Sequence, residues 1–203
     1  VVNTCINLKL RPNIFYASSG EIFGNNSTNI SEKTDKDPAN PYALSKYITM
    51  VYIDYMRKYY NLNISVGILF NHDSQFRSKK NLVKKVANYL NKNNFKKKLE
   101  LGNIDIHRDF GLASEYVEAM YKINQQKKRG DYIIASGRSV RVRDIISYAF
   151  NLKKLNYKNH IIINKNMFSK KVLSFNSINI SKVKKIKWYP KKTVFDLLSS
   201  LIK

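Results

Sequence analysis

The sequence predicts an α/β fold, in which short apolar strands alternate with helices. Residues 14–17 and 64–70 are largely apolar runs of the length that buried strands have. Residues 41–60, between them, have the length of a helix and carry apolar side chains along much of it. A strand, a helix and a second strand in this order are the unit from which parallel sheets are built. We therefore predict a parallel sheet with its helices packed on it.

After residue 70 the pattern changes to a mixture of shorter elements. Residues 71–74 are polar and are predicted to form a loop, residues 99–101 a short strand, and residues 132–135 another strand. A further helix opens at residues 115–120. Between the loop and the first of these strands, apolar residues repeat at helical spacing at Leu82, Val83, Val86, Ala87 and Leu90.

The composition limits the class of protein. The chain has 203 residues, 43% of them hydrophobic, which is enough for a sizeable core. Cys5 is the only cysteine, so no disulfide forms within the chain, and we expect a reducing, cytoplasmic location. No apolar run approaches the roughly 20 residues that cross a bilayer, so we predict no membrane partner.

The formal net charge of +23 raises the question of a nucleic-acid partner. Lysines are dense between residues 79 and 98, but Lys and Asn also crowd the rest of the sequence. Aromatic residues do not alternate with these lysines, as they would in a platform that stacks bases. No recognition motif accompanies the charge. We therefore predict no nucleic-acid partner and expect the positive field to attract small anions instead.

Four reactive groups come from two neighbouring segments. Ser19 and Glu21 follow the first predicted strand, at the edge of the sheet where open α/β folds bind ligands. Pro41 suits a first helical turn, so Tyr42 and Lys46 fall at positions i and i+4 on one helical face. An ammonium group beside a phenol favours the phenolate, which can accept a proton. The sequence thus predicts a hydroxyl, a carboxylate, a phenol and an ammonium group close together.

These residues carry a resemblance to a known family. The stretch S-S-G-E-I-F-G from Ser18 to Gly24, followed by Tyr42-x-x-x-Lys46, resembles the extended short-chain dehydrogenase/reductases and, within them, the GDP-mannose 4,6-dehydratases. The stretches I-L-F-N-H-D-S at 68–74, L-G-N-I-D at 101–105 and R-D-F-G at 108–111 extend it over most of the chain. The resemblance implies the second half of a Rossmann-like parallel sheet plus a small α/β substrate-binding lobe.

The same resemblance implies two domains. Residues 1–70 would hold the C-terminal half of the NAD(P)-binding domain, and residues 71–203 mainly the nucleotide-sugar-binding lobe, with some strands returning to the main sheet. The glycine-rich turn G-x-x-G-x-x-G that holds a dinucleotide pyrophosphate is not in the sequence. We therefore expect the chain to be the C-terminal part of such an enzyme. The family's dimer interface also implies a homo-oligomer.

The implied reaction removes water from a GDP-sugar through an internal redox cycle of NADP, with NAD as the alternative cofactor. By the resemblance, the catalytic residues are Ser19, Glu21, Tyr42 and Lys46. The implied contacts to the cofactor come from Ser18, Tyr42, Lys46, Leu69, Asn71 and His72. The implied contacts to the substrate come from Asn71, Asn103 and Arg108. No metal site is predicted, because His107 and His160 lack the spacing of metal ligands.

Some positions depart from the family pattern. Gly20 stands where the family carries Ser or Asp, and Ser169 and Val172 replace an Arg and a Glu that hold the nucleotide. Asp109 is expected to orient Arg108. Two alternatives stay open: a non-catalytic remnant that binds a nucleotide sugar or a partner subunit, and another epimerase or reductase of the same family. The carboxylate of Glu21 favours the dehydratase, because epimerases and reductases do not need it.

Overall fold

A computed structural model describes residues 2–24, 28–168 and 174–203 of the chain. Its helices and strands are interspersed along the chain. Short 3-10 turns lie at Gly20–Phe23, Tyr157–Asn159 and Lys165–Met167. The other elements, in chain order, are α1 (Val2–Asn7), β1 (Ile14–Ser19), α2 (Pro41–Tyr60), β2 (Ile64–Leu69), β3 (Asn71–Asp73), α3 (Leu82–Asn91), β4 (Leu99–Leu101), β5 (His107–Leu112), α4 (Ala113–Asn124), β6 (Asp131–Ile134), β7 (Ser139–Arg141), α5 (Val142–Asn151), β8 (Ile161–Ile163), α6 (Ser181–Lys184) and α7 (Val194–Leu201).

The main sheet consists of three parallel strands in the order β1-β2-β6. Every residue of β2 except Leu69 is buried, which is typical of a strand covered on both faces. Gly67 is required at its centre, because an added Cβ would lie 2.3 Å from the ring of Phe15. Ser19 is paired with Leu69, so β1 and β2 end at the same edge of the sheet. The predicted α/β class with a parallel sheet is confirmed.

Helix α2 begins and ends where the sequence predicts. The side chain of Asn40 accepts a hydrogen bond from the backbone N–H of Ala43, and Pro41 occupies the first turn. The helix stops at Asn61, whose φ of 50° is the left-handed conformation common after a helix. One face is buried against the sheet through Ala43, Met50, Ile53 and Met56. The first residues of α2 therefore lie at the edge of the sheet where β1 ends.

A second sheet lies beside this edge, in the order β3-β5-β7. Its first strand corrects the sequence prediction of a loop at 71–74: Asn71 pairs with Phe110 and Asp73 with Leu112. The backbone of β3 makes these hydrogen bonds whatever its side chains are, so their polar character gave no sign of a strand. The pairing brings Asn71 and His72 next to β5, which carries Arg108.

The buried apolar residues form two clusters. One surrounds the main sheet and includes Ile68, Tyr116 and Trp188. The other lies between α3, α5, α7 and β4, with Leu90 and Phe150 fully buried at its centre. The strands β4 and β8 pair next to this second cluster. Among the described residues, no helix has both the length and the apolar content needed to cross a membrane.

Candidate active site

A pocket of about 270 Å³ opens at the edge where β1 and β2 end. Parallel sheets bind their ligands at this edge. The pocket is lined by all four residues predicted to be catalytic, Ser19, Glu21, Tyr42 and Lys46. It is also lined by Ser18, Leu69, Asn71, His72 and Arg108, which the sequence predicts as ligand contacts. The fold thus brings these nine residues of β1, α2, β2, β3 and β5, and of the turn after β1, to one place.

Ser19 and Glu21 are placed by the sharp turn that follows β1. The Ser19 hydroxyl accepts a hydrogen bond from the backbone N–H of Glu21 at 3.2 Å and so caps the 3-10 turn. The hydroxyl keeps its own proton to donate into the pocket. Ser18 also lines the pocket, but its hydroxyl donates to the sulfur of Met50 at 3.0 Å. Ser19 is therefore the hydroxyl of this pair with a proton to donate to a ligand.

Tyr42 and Lys46 come from the first two turns of α2. The Lys46 ammonium donates to the carbonyl oxygen of Ala17 at 3.0 Å, which fixes it against the end of β1. It lies 5.2 Å from the ring centre of Tyr16 and 5.7 Å from that of Tyr42. Tyr42 is 53% exposed, so its phenol remains accessible from the pocket. The Lys46 ammonium and the Tyr42 ring therefore lie side by side at the pocket.

Glu21 lies opposite these groups and is half-buried. Its Oε2 accepts a hydrogen bond from Nδ2 of Asn40 at 2.9 Å. Arg108 approaches from β5 with its guanidinium 5.7 Å from the ring centre of Phe175. Burial lowers the pKa of Arg108, and the negative charge of Glu21 acts in the opposite direction. The site therefore combines a carboxylate with three cations, Lys46, Arg77 and Arg108.

A second pocket, of about 340 Å³, adjoins the first. The two share the lining residues Asn71, His72, Arg77 and Arg108. The predicted substrate residue Asn103 lies in the second pocket, with apolar residues such as Leu101 and Phe110 around it. Asn71 and Arg108 therefore stand at the junction, where one ligand can extend through both pockets.

Arg77 and Phe175 are among the lining residues that were not predicted from the sequence. Arg77, in the loop after β3, reaches both pockets, and its position shortly after the N-H-D-S stretch was the available signal. Phe175 packs edge-on against Phe70, with ring centres 5.1 Å apart. It comes from a part of the chain distant in sequence and belongs to none of the matched stretches, so the sequence offered no signal for it.

The expectation that Asp109 orients Arg108 is wrong. Neighbouring residues of a strand point to opposite faces, so the Asp109 side chain leaves the pocket and is fully buried. Its carboxylate accepts hydrogen bonds from the backbone N–H groups of Ser136 at 2.7 Å and Arg138 at 3.0 Å. Asp109 therefore holds the connection between β6 and β7. Burial raises its pKa to about 6, although these hydrogen bonds act in the opposite direction.

Comparison with known proteins identifies the family. The family model for GDP-mannose 4,6 dehydratase matches residues 2–201. The chain belongs to the GDP-mannose 4,6-dehydratase family. It is 35% identical over 190 residues to GDP-mannose 4,6 dehydratase 1 of Arabidopsis thaliana, covering 93% of this chain and 53% of that protein. It is 31% identical over 224 residues to GDP-mannose 4,6 dehydratase of Drosophila melanogaster, covering 100% and 56%. The chain thus spans about half the length of these relatives.

Solved structures share the fold. The dTDP-glucose 4,6-dehydratase of Bacillus anthracis, in complex with NAD, superposes with a TM-score of 0.86 at 18% identity over 98% of this chain and 63% of that one. RMD from Pseudomonas aeruginosa, complexed with NADPH, gives a TM-score of 0.85 at 19% identity over 95% and 66%. At these identities the likeness establishes the Rossmann-type fold.

The structure explains one departure from the GDP-mannose 4,6-dehydratase pattern. A Cβ added to Gly20 would lie 2.9 Å from the ring of Phe70, so the ring occupies the place of a side chain there. The other departure, Ser169 and Val172, lies outside the described residues.

Proposed function

We propose that this pocket is the active site of a GDP-mannose 4,6-dehydratase-like lyase, which converts GDP-mannose to GDP-4-keto-6-deoxymannose. The observation that carries the proposal is the convergence of Ser19, Glu21, Tyr42 and Lys46 on one pocket beside Arg108. Each group has a task in this reaction, and family membership supplies the substrate class. The two relatives compared above are named GDP-mannose 4,6 dehydratases.

The pocket fits the nicotinamide end of a dinucleotide cofactor. The hydrogen bond to Ala17 uses one of the three N–H donors of Lys46, and the others are left for ribose hydroxyls. Tyr42, Ser18, Leu69, Asn71 and His72 would complete this side of the site. NADP is the proposed cofactor, with NAD as the alternative. When bound, it accepts a hydride from C4 of the sugar and returns one to C6.

In the first half of the proposed reaction, Tyr42 takes the proton of the sugar 4-hydroxyl as C4 is oxidised. The Lys46 ammonium stabilises the phenolate that Tyr42 needs to act as a base. The Ser19 hydroxyl donates a hydrogen bond to the oxygen on C4 and steadies its developing charge. The product of this half is a ketone at C4.

The ketone acidifies the proton on C5, and Glu21 removes it in the second half. The same carboxyl then gives a proton to the 6-hydroxyl, which leaves as water and creates a C5–C6 double bond. Hydride returned to C6 would be accompanied by a proton from solvent at C5, which balances the proton that Tyr42 took from the 4-hydroxyl, and the result would be the 4-keto-6-deoxy sugar. Epimerases and reductases do not need a carboxylate beside the hydroxyl. Glu21 is therefore the residue that favours dehydration over the other reactions of the extended family.

The second pocket is the proposed site of the nucleotide. Arg108, at the junction, has a planar fork of N–H donors that suits a pyrophosphate, and Asn103 offers an amide beyond it. The negative charge of the substrate also fits a chain with a net charge of +23. A non-catalytic protein that binds a nucleotide sugar or a partner subunit would use the same contacts and remains the second candidate.

We also propose a homo-oligomer and, from the single cysteine, a cytoplasmic location. The helix α2 supports the oligomer, because large apolar side chains lie along its exposed face. They include Leu44, Ile48, Val51, Tyr52, Tyr55 and Tyr59. A row of this kind on one helix is typical of a surface that pairs with another helix.

The experiment that tests the proposed function is the identity of the product. The full-length protein that carries this chain should convert GDP-mannose, with catalytic NADP, into a product lighter by one water molecule. Mass spectrometry and a carbonyl signal at C4 by NMR detect it. A product with the mass of the substrate would indicate an epimerase and contradict the proposal. Binding of GDP-mannose with no conversion would support the non-catalytic candidate.

A further inference from the structure

The side-chain amide of Asn40 connects the two elements that carry the proposed catalytic groups. Asn40 stands at the N-terminus of α2, two residues before Tyr42, and its Oδ1 accepts a hydrogen bond from the backbone N–H of Ala43 at 2.8 Å. Its Nδ2 donates to Oε2 of Glu21 at 2.9 Å. One planar group thus fixes the start of α2 and the carboxylate of Glu21 at the same time.

The two partners of the Asn40 side chain determine the orientation of its amide group. The backbone N–H of Ala43 can only donate, so the atom that faces it must be the amide oxygen. The NH₂ group is then directed at Glu21 and can only donate. Oε2 of Glu21 is therefore the acceptor of this hydrogen bond, and Oε1 is the oxygen that Asn40 does not contact.

We propose that Asn40 is a positioning residue for Glu21: it keeps Oε2 occupied, so that Oε1 is the oxygen that takes the proton from C5 of the sugar. The inference rests on the proposed function. It assigns to Asn40 a role in the second half of the reaction only, because Tyr42 and Lys46 make no use of the Nδ2 donor. Asn40 thereby also sets the separation between the C5 base and the start of the helix that carries Tyr42.

Other charged groups face the same pocket and bear on its pH dependence. Arg108 from β5 is the cation whose pKa the structure links to the charge of Glu21. The further titratable groups in the lining are Tyr42, Lys46, His72 and Arg77. Replacing the amide of Asn40 changes the charge beside Glu21 and leaves these groups in place. A comparison of variants at residue 40 therefore isolates the contribution of this one contact.

The test uses Asn40→Asp in the full-length protein. Aspartate has the shape of asparagine and is an equally good helix N-cap, so the helix start is kept. It presents a carboxylate to Glu21 in place of an N–H donor. The matched control is Asn156→Asp, the same exchange at the start of the 3-10 turn Tyr157–Asn159. There Asn156 Oδ1 accepts from the backbone N–H of Lys158 at 3.1 Å, and it lines neither pocket.

Asn40→Asp should lower the exchange of solvent deuterium into C5 about 10- to 100-fold at neutral pH, the range for losing a hydrogen bond to a charged group. The acidic limb of its pH profile should move to higher pH, because a second carboxylate disfavours ionised Glu21. Oxidation at C4 and the melting temperature should stay close to those of the parent. Asn156→Asp should change none of these quantities. If Asn40→Asp exchanged deuterium into C5 at the parent rate, Asn40 would serve only as a helix cap, and the proposal would be overturned.

A spectroscopic measurement tests the contact without any turnover. The side-chain amide resonance of Asn40, identified by its loss in Asn40→Asp, should shift in Glu21→Ala, while that of Asn156 stays in place. An unshifted Asn40 resonance would overturn the contact and the proposal with it. A parent protein that does not oxidise C4 would instead contradict the proposed function, and the amide resonance would still report the contact separately.

Discussion

Lowering the pH from 7 to 5 should stabilise this chain through Asp109. Its carboxyl group is 0% exposed, and burial raises its pKa from 3.8 to about 6. Burial and the charge of Asp109 raise the pKa of the neighbouring Tyr116, whose hydroxyl donates to the carbonyl oxygen of Asn71 at 3.3 Å. The oxygens of Asp109 still face the N–H groups of Ser136 and Arg138. Protonation therefore removes a buried charge, which is the cause of the raised pKa.

The direction and size of the change in unfolding free energy follow from the pKa of Asp109 in the folded state and in the unfolded chain. Because the pKa is higher in the folded state than in the unfolded chain, the folded state binds the proton more tightly, and its stability falls as the pH rises through about 6. Integration between pH 7 and pH 5, with 3.8 for the unfolded chain, gives a gain of about 1 kcal/mol on acidification. The gain continues to grow down to about pH 3, where both states are protonated.

Urea unfolding at pH 5, 6 and 7 and constant ionic strength measures this effect. Asp109→Asn is the control, because an amide at this position cannot titrate and its cost is independent of pH. The difference in unfolding free energy between parent and Asp109→Asn should move by about 1 kcal/mol in favour of the parent from pH 7 to pH 5. A difference that stays flat, or that moves towards the variant, would refute the reasoning. Should the variant not fold, the titration of ¹³C-labelled Asp109 gives the same answer.

Two further predictions concern packing and association. Gly20→Ala should lower the unfolding free energy by about 1–3 kcal/mol, because the new Cβ would press on the ring of Phe70. In the control Gly130→Ala, the new Cβ meets no atom closer than 3.4 Å, and the unfolding free energy should change by less than about 0.5 kcal/mol. Urea titration compares the two variants. Replacing Val51 and Tyr55 on the exposed face of α2 by lysine should lower the mass of the proposed homo-oligomer in sedimentation equilibrium. A parent protein that sediments as a monomer at micromolar concentration would contradict the oligomer.

The main sheet and α2 could be predicted because their signals are local. Two apolar runs mark β1 and β2, and Pro41 and Asn61 mark the ends of the helix between them. The strand β3 could not be predicted, since Asn71–Asp73 becomes a strand only through pairing with β5, far along the chain. Tertiary pairing of this kind decides the structure of short polar segments whatever their own pattern indicates.

The candidate site also contains contacts that could be predicted from the sequence and contacts that could not. The grouping of Glu21, Tyr42 and Lys46 could be predicted, because the motifs place them at the end of a strand and the start of a helix. The contact between Asn40 and Glu21 could not, since it depends on how the turn after β1 meets α2. Asp109 was misassigned because adjacency in sequence suggested contact with Arg108, whereas adjacent strand residues face opposite sides.

The central claim is that Glu21 removes the C5 proton after Tyr42 has enabled oxidation at C4. The most direct measurement follows, in the full-length protein with GDP-mannose, solvent deuterium entering C5 together with the transient absorbance of reduced nicotinamide. Glu21→Gln should still show the absorbance but lose deuterium exchange and dehydration by about 10²–10⁴-fold, because the amide keeps the shape without the proton acceptor. Tyr42→Phe should show neither signal. Exchange and dehydration at the parent rate in Glu21→Gln would contradict the claim and favour an epimerase or a reductase.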